Sequence, residues 1–307
     1  MGAHRLLPDG APPPIAIVGT TASGKSSLAM ALARHRGDVE LVSVDSMQVY
    51  RGFDIGTAKP TPSERAAVAH HLLDLLDPNE ECSVAWFQER SRAAVAEIVA
   101  RDHRPLFVGG TGLYHRAVVD DLSIPPEAPE VRLRLDALDT DELVARLGRL
   151  DPAALRRIDP SNRRRLLRAL EVCESTGQPF SSFGPGLDVY ASTPHRLVGL
   201  RVDRGALATR IRMRVTAMLD AGWLDEVAGL TERGPWSRTA AQAIGYRELA
   251  EHLAGRSSLA EAVDATVQRT RRFAVRQMRW FARDPRIVWF DAESPSIVDQ
   301  VADTVCT

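Results

Sequence analysis

Short apolar runs alternate with amphipathic segments along the first third of the chain. Apolar residues, many of them β-branched, predominate at positions 15–18, 39–44 and 105–108, and such runs are typical of buried strands in a parallel sheet. Residues 27–36 and 84–99 repeat their apolar positions with helical spacing. Strands that alternate with helices predict right-handed βαβ units. The pattern therefore indicates an α/β fold with a parallel sheet core flanked by helices.

The pattern changes after Asp120, where a Pro-rich segment at 124–129 precedes a long helical region. Strand character returns at 195–202, long helices are expected at 204–232 and 239–284, and a last strand is expected at 286–290. A further helical pattern covers 63–78. The expected organisation is a disordered leader at 1–13, a core made of 14–126 and 195–292 with C-terminal helices, a helical insertion domain at 127–194, and a tail at 293–307.

Composition narrows the class of protein. The chain has 307 residues and a net charge of −1, and it lacks the run of about 18 apolar residues that a membrane span needs. Its three cysteines, Cys82, Cys173 and Cys306, are far apart and form no C-x-x-C pair. This spacing argues against a disulfide framework or a structural zinc site, and it favours a reducing, cytoplasmic compartment. The first 14 residues lack the apolar core of a signal peptide.

The strand predicted at 15–18 runs directly into a glycine-rich motif. Residues 19–26 read Gly19-Thr20-Thr21-Ala22-Ser23-Gly24-Lys25-Ser26 and fit G-x-x-x-x-G-K-[ST] at every fixed position. We call this segment the phosphate loop. Its glycines let the backbone amides turn inward, and the following helix adds the positive end of its dipole. Lys25 brings a positive charge and the Ser26 hydroxyl is a ligand for Mg²⁺. The motif predicts a phosphate site on a P-loop NTPase-like core, and it leaves open which phosphate compound binds there.

Two further strand ends carry polar or glycine-rich signals. Asp45 follows the strand at 39–44, and Gly109, Gly110 and Thr111 follow the strand at 105–108. The carboxyl ends of parallel strands meet at one edge of the sheet, so these residues are expected beside the phosphate loop. Asp45 would act there as a Mg²⁺ ligand or as a general base. A loop carboxylate and a tight turn remain the alternatives for these two sites.

Arginine is unevenly distributed in the second half of the chain. Between Gln268 and Arg286 there are seven arginines and one acidic residue. Five of the arginines recur at steps of three and four, which places them on one helix face; this arginine stripe comprises Arg269, Arg272, Arg276, Arg279 and Arg283. A second cluster comprises Arg156, Arg157, Arg163, Arg164, Arg165 and Arg168. Single-sign stripes of this kind favour contact with nucleic acid, and the alternative is a solvated face or a lattice of salt bridges.

With these motifs in place, the sequence resembles the tRNA dimethylallyltransferases (tRNA isopentenyltransferases) of the bacterial type. The resemblance covers about residues 14–292. It depends on a set of segments in a fixed order: the phosphate loop, Ser43 to Tyr50, Asp54-Ile55-Gly56-Thr57-Ala58-Lys59-Pro60, Val108 to Tyr114, Arg165 to Val172, Ala243 to Glu248, and Thr270 to Trp280. The sequence departs from the family pattern at Val275, where a lysine is usual, and at 162–165, where Asn-Arg-Arg-Arg replaces Asp-Pro-Gln-Arg.

The resemblance implies an activity and its partners. A dimethylallyl group would pass from dimethylallyl diphosphate to N6 of adenine 37, next to the anticodon of a tRNA, with Mg²⁺ as cofactor. The partners would be a tRNA anticodon stem-loop and dimethylallyl diphosphate, with no membrane, and the chain is expected to be a monomer. The zinc-finger tail of some eukaryotic relatives is missing.

The resemblance also implies roles for residues. Asp45 would be the general base and Thr111 would help to position the reacting groups. The diphosphate would be bound by Gly19, Thr21, Ala22, Ser23, Gly24, Lys25, Ser26 and Arg210, with Ser26 as the Mg²⁺ ligand. The tRNA would contact Asp45, Ser46, Met47, Gln48, Thr111, Arg132, Arg164, Arg165, Arg168, Arg276 and Gln277.

Three other functions remain open at this point. A small-molecule kinase with a phosphate loop predicts an adenine pocket, ATP binding and a lid, and leaves the arginine stripe unexplained. A transferase for free adenine nucleotides would have the same catalytic core, but no use for the insertion and the basic helix. A non-enzymatic RNA-binding module would not need Asp45 beside a complete phosphate loop. The prenyltransferase hypothesis instead predicts a channel, between the core and the 127–194 insertion, for an anticodon loop.

Overall fold

The computed structural model describes residues 13–306, so nearly all of the predicted leader lies outside the described residues. Within that range six parallel strands form one sheet in the order β3-β2-β4-β1-β5-β6. The strands are β1 (Ile15–Gly19), β2 (Val39–Val44), β3 (His70–His71), β4 (Arg104–Gly109), β5 (Arg196–Arg201) and β6 (Val288–Asp291). β1 lies between β4 and β5 and is buried along its whole length. The predicted α/β fold with a parallel sheet is confirmed.

The described residues divide into two compact units. The core unit comprises the residues up to Asp121 together with those from Ser192 onward, and the insertion unit comprises Leu122–Ala191. The helices of the core unit are α1 (Lys25–Arg36), α2 (Pro62–Ala67), α3 (Val84–Val99), α4 (Gly112–Val119), α9 (Arg204–Asp220), α10 (Trp223–Glu232), α11 (Tyr246–Leu253), α12 (Leu259–Phe281) and α13 (Ile297–Cys306). They cover the sheet, whose apolar strands are therefore buried.

The insertion unit is a small helical assembly with its own hydrophobic core. Its helices are α5 (Pro129–Asp136), α6 (Thr140–Leu150), α7 (Pro152–Leu155) and α8 (Arg163–Thr176). Leu143, Leu147, Leu166 and Leu170 are fully buried between α6 and α8. Burying these side chains contributes about 1.5–3 kcal/mol each, which stabilises a unit of this size. No described helix in either unit is long and apolar enough to cross a membrane.

The helix expected at 63–78 is wrong over most of its length. The helix α2 ends at Ala67, and Val68 is extended. His70 and His71 then pair with Leu41 and Val42 of β2, and Leu72 and Asp74 have positive φ values, which a helix excludes. Strand pairing and ion pairs from distant residues decide this segment, so its local helical pattern misleads.

Two long helices and the tail also differ from expectation. A glycine in the left-handed region, Gly222 at φ 95°, separates α9 from α10, and Gly255 at φ 72° follows α11. Residues 297–306 form α13 rather than a tail, because apolar residues four positions apart give it one buried face. Val301 and Val305 on this face pack with the cluster that lines α1 and the sheet.

Candidate active site

Three strand ends meet at the carboxyl edge of the sheet, as the sequence predicts. β1 pairs with β4, and β4 pairs with β2, so the phosphate loop, Asp45 and Gly109–Thr111 follow neighbouring strands. The backbone N–H of Ser46 donates to Thr111 Oγ1 at 3.4 Å, which joins two of these loops directly. The sheet therefore brings the phosphate loop, a carboxylate and a threonine hydroxyl to one edge.

The phosphate loop leads into α1 through Gly24, which caps the helix at φ 89°. Ala22 also has a positive φ of 60°. The hydroxyls of Thr20 and Ser23 are buried and have no hydrogen-bond partner among residues 13–306, whereas buried polar atoms in proteins are normally paired. Unpaired donors beside a helix N-terminus suit an anionic ligand. The exposed Ser26 lies in the first turn of α1.

Lys25 lies among charged neighbours. Its ammonium group donates to Thr20 O at 2.6 Å. Burial, and then the positive charge of Arg214, lower the pKa of Lys25 to about 8, while the negative charge of Asp45 opposes this shift. Burial also lowers the pKa of Arg214, and Asp45 again opposes the shift. The charges of Lys25, Arg214 and Asp45 therefore act on one another.

Two arginines of α9, Arg210 and Arg214, are relevant to the expected diphosphate contact of Arg210. Arg210 forms an ion pair with Glu293 at 2.9 Å, and both side chains are partly exposed. Arg214 lies one turn later on α9, next to the buried Val215. The two arginines are four residues apart and therefore lie on the same side of α9, so their spacing in the sequence does not distinguish them.

The residues after β2 turn sharply at the edge of the sheet. Asp45 is half-buried, and its Oδ1 accepts the backbone N–H of Met47 at 2.9 Å. Ser43 Oγ donates to Gln48 Oε1 at 2.7 Å, and Gln48 Nε2 donates to Thr57 O at 3.1 Å. Met47 packs against the core. The predicted base-binding segment Ser46–Gln48 therefore lies beside Asp45, but the amide of Gln48 already holds the 57–58 backbone.

Glu226 of α10 holds the Asp54–Pro60 segment in place through hydrogen bonds. The carboxylate accepts the consecutive backbone N–H groups of Asp54, Ile55 and Gly56 at 3.1, 2.7 and 3.3 Å. It also accepts the hydroxyl of Tyr246 at 2.6 Å. Sequence reasoning missed Glu226, because nothing in its local pattern separates it from an exposed helix carboxylate.

Close packing and a buried charge hold the Asp54–Pro60 segment in one conformation. A Cβ at Gly56 would lie 2.1 Å from Trp223 Nε1, so no other residue fits there without movement. The side chain of Lys59 is 1% exposed and pairs with Asp54 at 2.7 Å and Asp74 at 2.5 Å. The segment is thus a rigid support for Gln48.

Helix α12 has two chemically different faces. Arg272, Arg276 and Arg279 are exposed on one side, and Arg276 lies over the ring of Phe273. Arg283 is exposed just after the end of the helix. Arg269, at the end of the stripe, pairs with Glu248. Gln277 lies on the opposite, buried side. Three of the five arginines of the predicted stripe are thus exposed on one side of α12, and Gln277, which was expected to contact tRNA, is not among the exposed residues.

The predicted tRNA residues of the insertion unit fall into two groups. Arg164 and Arg165 are exposed at the start of α8, and their guanidinium groups form no ion pair with the described residues. Arg168 pairs with Glu171 at 3.0 Å and donates to Pro125 O at 2.7 Å. Arg132 approaches the same carboxylate at 3.5 Å. Glu171 therefore holds Arg132 and Arg168, while Arg164 and Arg165 face solvent.

Comparison with known families identifies the class of this site. The family model described as IPP transferase matches residues 48–284, and the model described as isopentenyl transferase matches residues 15–75. The chain belongs to the IPP transferase family. A relative from Pseudarthrobacter chlorophenolicus named tRNA dimethylallyltransferase is 47% identical over 298 residues, which cover 95% of this chain and 98% of that protein. A relative of the same name from Bifidobacterium animalis is 45% identical over 93% of this chain and 84% of its own length.

Solved structures of IPP transferases and their relatives agree with this family assignment. The tRNA isopentenylpyrophosphate transferase of Bacillus halodurans is 38% identical, with a TM-score of 0.69 over 95% of this chain and 96% of that one. A eukaryotic dimethylallyltransferase acting on tRNA is 27% identical, with a TM-score of 0.78 over 95% of this chain and 77% of that one. Membership of the IPP transferase family favours prenyl transfer over the kinase and RNA-binding alternatives.

Proposed function

We propose that this chain transfers a dimethylallyl group from dimethylallyl diphosphate to N6 of adenine 37, next to the anticodon of a tRNA. The observation that carries the proposal is the meeting of a phosphate loop with its lysine, Lys25, and one carboxylate, Asp45, at the same sheet edge. In the reaction a carbon–nitrogen bond forms, the carbon–oxygen bond to diphosphate breaks, and N6 loses a proton. Each of these changes has a matching group at the edge.

The phosphate loop would bind the diphosphate of the donor. Negative charge grows on this leaving group as the carbon–oxygen bond breaks, so fixed positive groups accelerate the step. Lys25 and Arg214 supply two such charges, and the other proposed donors are Gly19, Thr21, Ala22, Ser23, Gly24 and Ser26. The buried, unpaired hydroxyls of Thr20 and Ser23 support an anionic ligand at this position.

A divalent ion fits this site as a companion of the diphosphate. Among residues 13–306 no group of three His, Cys, Asp or Glu side chains could hold a metal alone. The hydroxyl of Ser26 would therefore hold Mg²⁺ together with diphosphate oxygens, as in other phosphate loops. The ion would add positive charge at the leaving group.

Asp45 would accept the proton that N6 loses. The half-buried carboxylate lies at the carboxyl edge of the sheet. The hydroxyl of Thr111 is held near it by a hydrogen bond from the backbone N–H of Ser46. The target adenine has to leave the anticodon stack to reach this carboxylate. Ser46, Met47 and Gln48 would then line the position of the base.

Exposed arginines would hold the RNA backbone. Arg164 and Arg165 of the insertion unit and Arg272, Arg276 and Arg279 of α12 are exposed, and phosphate contacts of this type supply most of the affinity for nucleic acid. Because these charges are local, a net charge of −1 for the whole chain does not oppose RNA binding. We expect the protein to act as a monomer, since one chain contains all these groups.

The test uses the purified protein, Mg²⁺, dimethylallyl diphosphate and an unmodified anticodon stem-loop with three consecutive adenines. Mass spectrometry should find one added C5H8 unit on a single adenine of the RNA. Prenylation of free AMP without RNA transfer would favour the free-nucleotide alternative, and ATP turnover would favour the kinase. The Asp45→Ala variant should lose transfer but keep its RNA affinity, and retained transfer would contradict the assignment of the base.

A further inference from the structure

The buried side of α12 touches the active-site loops through one residue. Gln277 Oε1 accepts the backbone N–H of Thr21 in the phosphate loop at 2.8 Å. Gln277 Nε2 donates to the carbonyl of Gly110, next to Thr111, at 2.9 Å. One amide thus joins the loop after β1 to the loop after β4. The side chain is 6% exposed, so these contacts are shielded from water.

The fit around Gln277 is close on the side of Gly110. A Cβ at Gly110 would lie 2.2 Å from Gln277 Nε2. Glycine is therefore required for the amide to reach the carbonyl. The Gly110 carbonyl, the Gln277 amide and the Thr21 N–H therefore fix one another's positions. An exposed RNA contact would need none of this, because its polar atoms would face solvent.

We propose that Gln277 is a positioning residue that fixes the phosphate loop relative to Thr111 and joins both to the helix that carries the arginine stripe. This inference rests on the proposed function, and it replaces the expectation that Gln277 contacts tRNA. Both polar atoms of its side chain pair with backbone groups, so the residue would touch neither substrate. It acts through the backbone of the two loops that would hold the donor and the target base.

The position of Gln277 has a direct consequence for the reaction. Donor carbon and acceptor nitrogen react efficiently only when they are held at the right distance and angle, and an error of about 1 Å can cost about 100-fold in rate. Thr111 also accepts the N–H of Ser46, beside Asp45. Gln277 therefore connects the phosphate loop with the loop that carries Thr111, and Thr111 in turn contacts the residue that follows the proposed base.

The helix adds a second consequence. The arginine stripe and Gln277 lie on opposite sides of the same rigid element. RNA that engages the stripe would hold α12, and α12 would hold the two loops through Gln277. Binding of RNA and binding of the donor should thus favour each other, and each ligand should change the affinity of the other by the same factor. This coupling should depend on the amide.

The first variant is Gln277→Met, which keeps the length of the side chain and removes both hydrogen bonds. Two buried backbone groups then lose their partner, so kcat/KM for the donor should fall about 10- to 100-fold. Affinity for the stem-loop alone should change by less than about 2-fold, since the arginine stripe is untouched. Titration with inorganic pyrophosphate and Mg²⁺ should show weaker binding, which needs no turnover.

Thr266→Val is the matched control. Thr266 is also buried on α12, but its hydroxyl donates only to Ala262 O within the same helix. This variant should keep wild-type kinetics and the coupling between RNA and pyrophosphate. Arg276→Ala should give the opposite pattern to Gln277→Met, with weaker RNA binding and unchanged pyrophosphate binding.

Gly110→Ala tests the same contact from the other side, even where Gln277→Met does not fold. Its added methyl group displaces the amide, so it should reproduce the loss of donor kcat/KM. Because both changes break one contact, their effects should not add in the double variant. Additive effects would overturn the inference.

The outcomes separate this inference from the proposed function. If the wild-type protein transfers nothing to RNA, the proposed function fails, while pyrophosphate binding by the variants still tests the role of Gln277. If wild type transfers and Gln277→Met matches Thr266→Val, the positioning role is wrong. A loss of RNA affinity equal to the loss of donor binding would also overturn it and restore a direct RNA contact.

Discussion

Replacing Arg214 by glutamine tests which arginine serves the diphosphate. The charge of Arg214 acts on Lys25 and Asp45, whereas Arg210, one turn earlier, pairs with Glu293 at the surface. The matched control is therefore Arg210→Gln, which makes the same chemical change on the same helix. Only Arg214→Gln should weaken the donor site.

The expected magnitudes follow from the two environments. A hydrogen bond from a charged group contributes about 1.5–3 kcal/mol, so Arg214→Gln should lower kcat/KM for dimethylallyl diphosphate about 10- to 100-fold. A partly exposed ion pair such as Arg210–Glu293 contributes about 0–1 kcal/mol of stability, and its loss should leave the kinetics unchanged. Arg214→Gln should also raise the pKa of Lys25, since the charge of Arg214 helps to lower it.

The assay measures transfer of the prenyl group to the stem-loop over a range of donor concentrations and pH values. RNA affinity without donor, measured by fluorescence anisotropy, is the check that each variant still binds its acceptor. A larger kinetic loss in Arg210→Gln than in Arg214→Gln would refute the assignment. An unchanged pH dependence of donor binding in Arg214→Gln would refute the electrostatic link to Lys25.

Three further predictions address RNA binding and stability. Arg164→Gln with Arg165→Gln should reduce the slope of log affinity against log salt concentration by about 1 to 2, and titrations of the stem-loop at several salt concentrations check this. In the folded protein, burial lowers the pKa of His115 to about 4. As the pH falls below 6.5, His115 therefore takes up a proton in the unfolded chain before it does so in the folded chain. The free energy of unfolding should therefore fall by about 3 kcal/mol between pH 6.5 and 4, and urea titrations of His115→Phe should lack this part of the slope. Gly56→Ala forces a Cβ against Trp223 and should destabilise the protein by about 1–3 kcal/mol in urea titrations, whereas unchanged stability would contradict the close packing.

The sequence predicts those parts of the fold that local patterns determine. The apolar runs at β1, β2 and β4 are long and are bounded by glycine or charge, so their strands are found within one or two residues. β3 has two residues and depends on pairing with β2 and on the contact of His71 with Glu40 at 2.6 Å. No local pattern contains that information, which explains why a helix was expected there.

The candidate site divides in the same way. The phosphate loop and the loop after β4 are short motifs whose residues are adjacent in sequence, so their place at the sheet edge follows from the strands. Arg210 and Arg214 lie one turn apart on the same side of α9, and they differ in their partners, since Arg210 pairs with Glu293 whereas Arg214 interacts with the charge of Asp45. The burial of Gln277 depends on how α12 lies against the sheet.

The two side chains that hold the loops of the site act in the same way, by pairing with backbone groups. Glu226 and Gln277 come from helices late in the chain, and each pairs with backbone groups of a loop from its first third. A loop at a sheet edge has backbone N–H and C=O groups that the sheet does not satisfy, and burying them unpaired costs about 1–3 kcal/mol each. Side chains that pair with these groups therefore select one loop conformation among many. On this argument the late helices of the core unit are part of the catalytic apparatus, because they determine where the early loops lie.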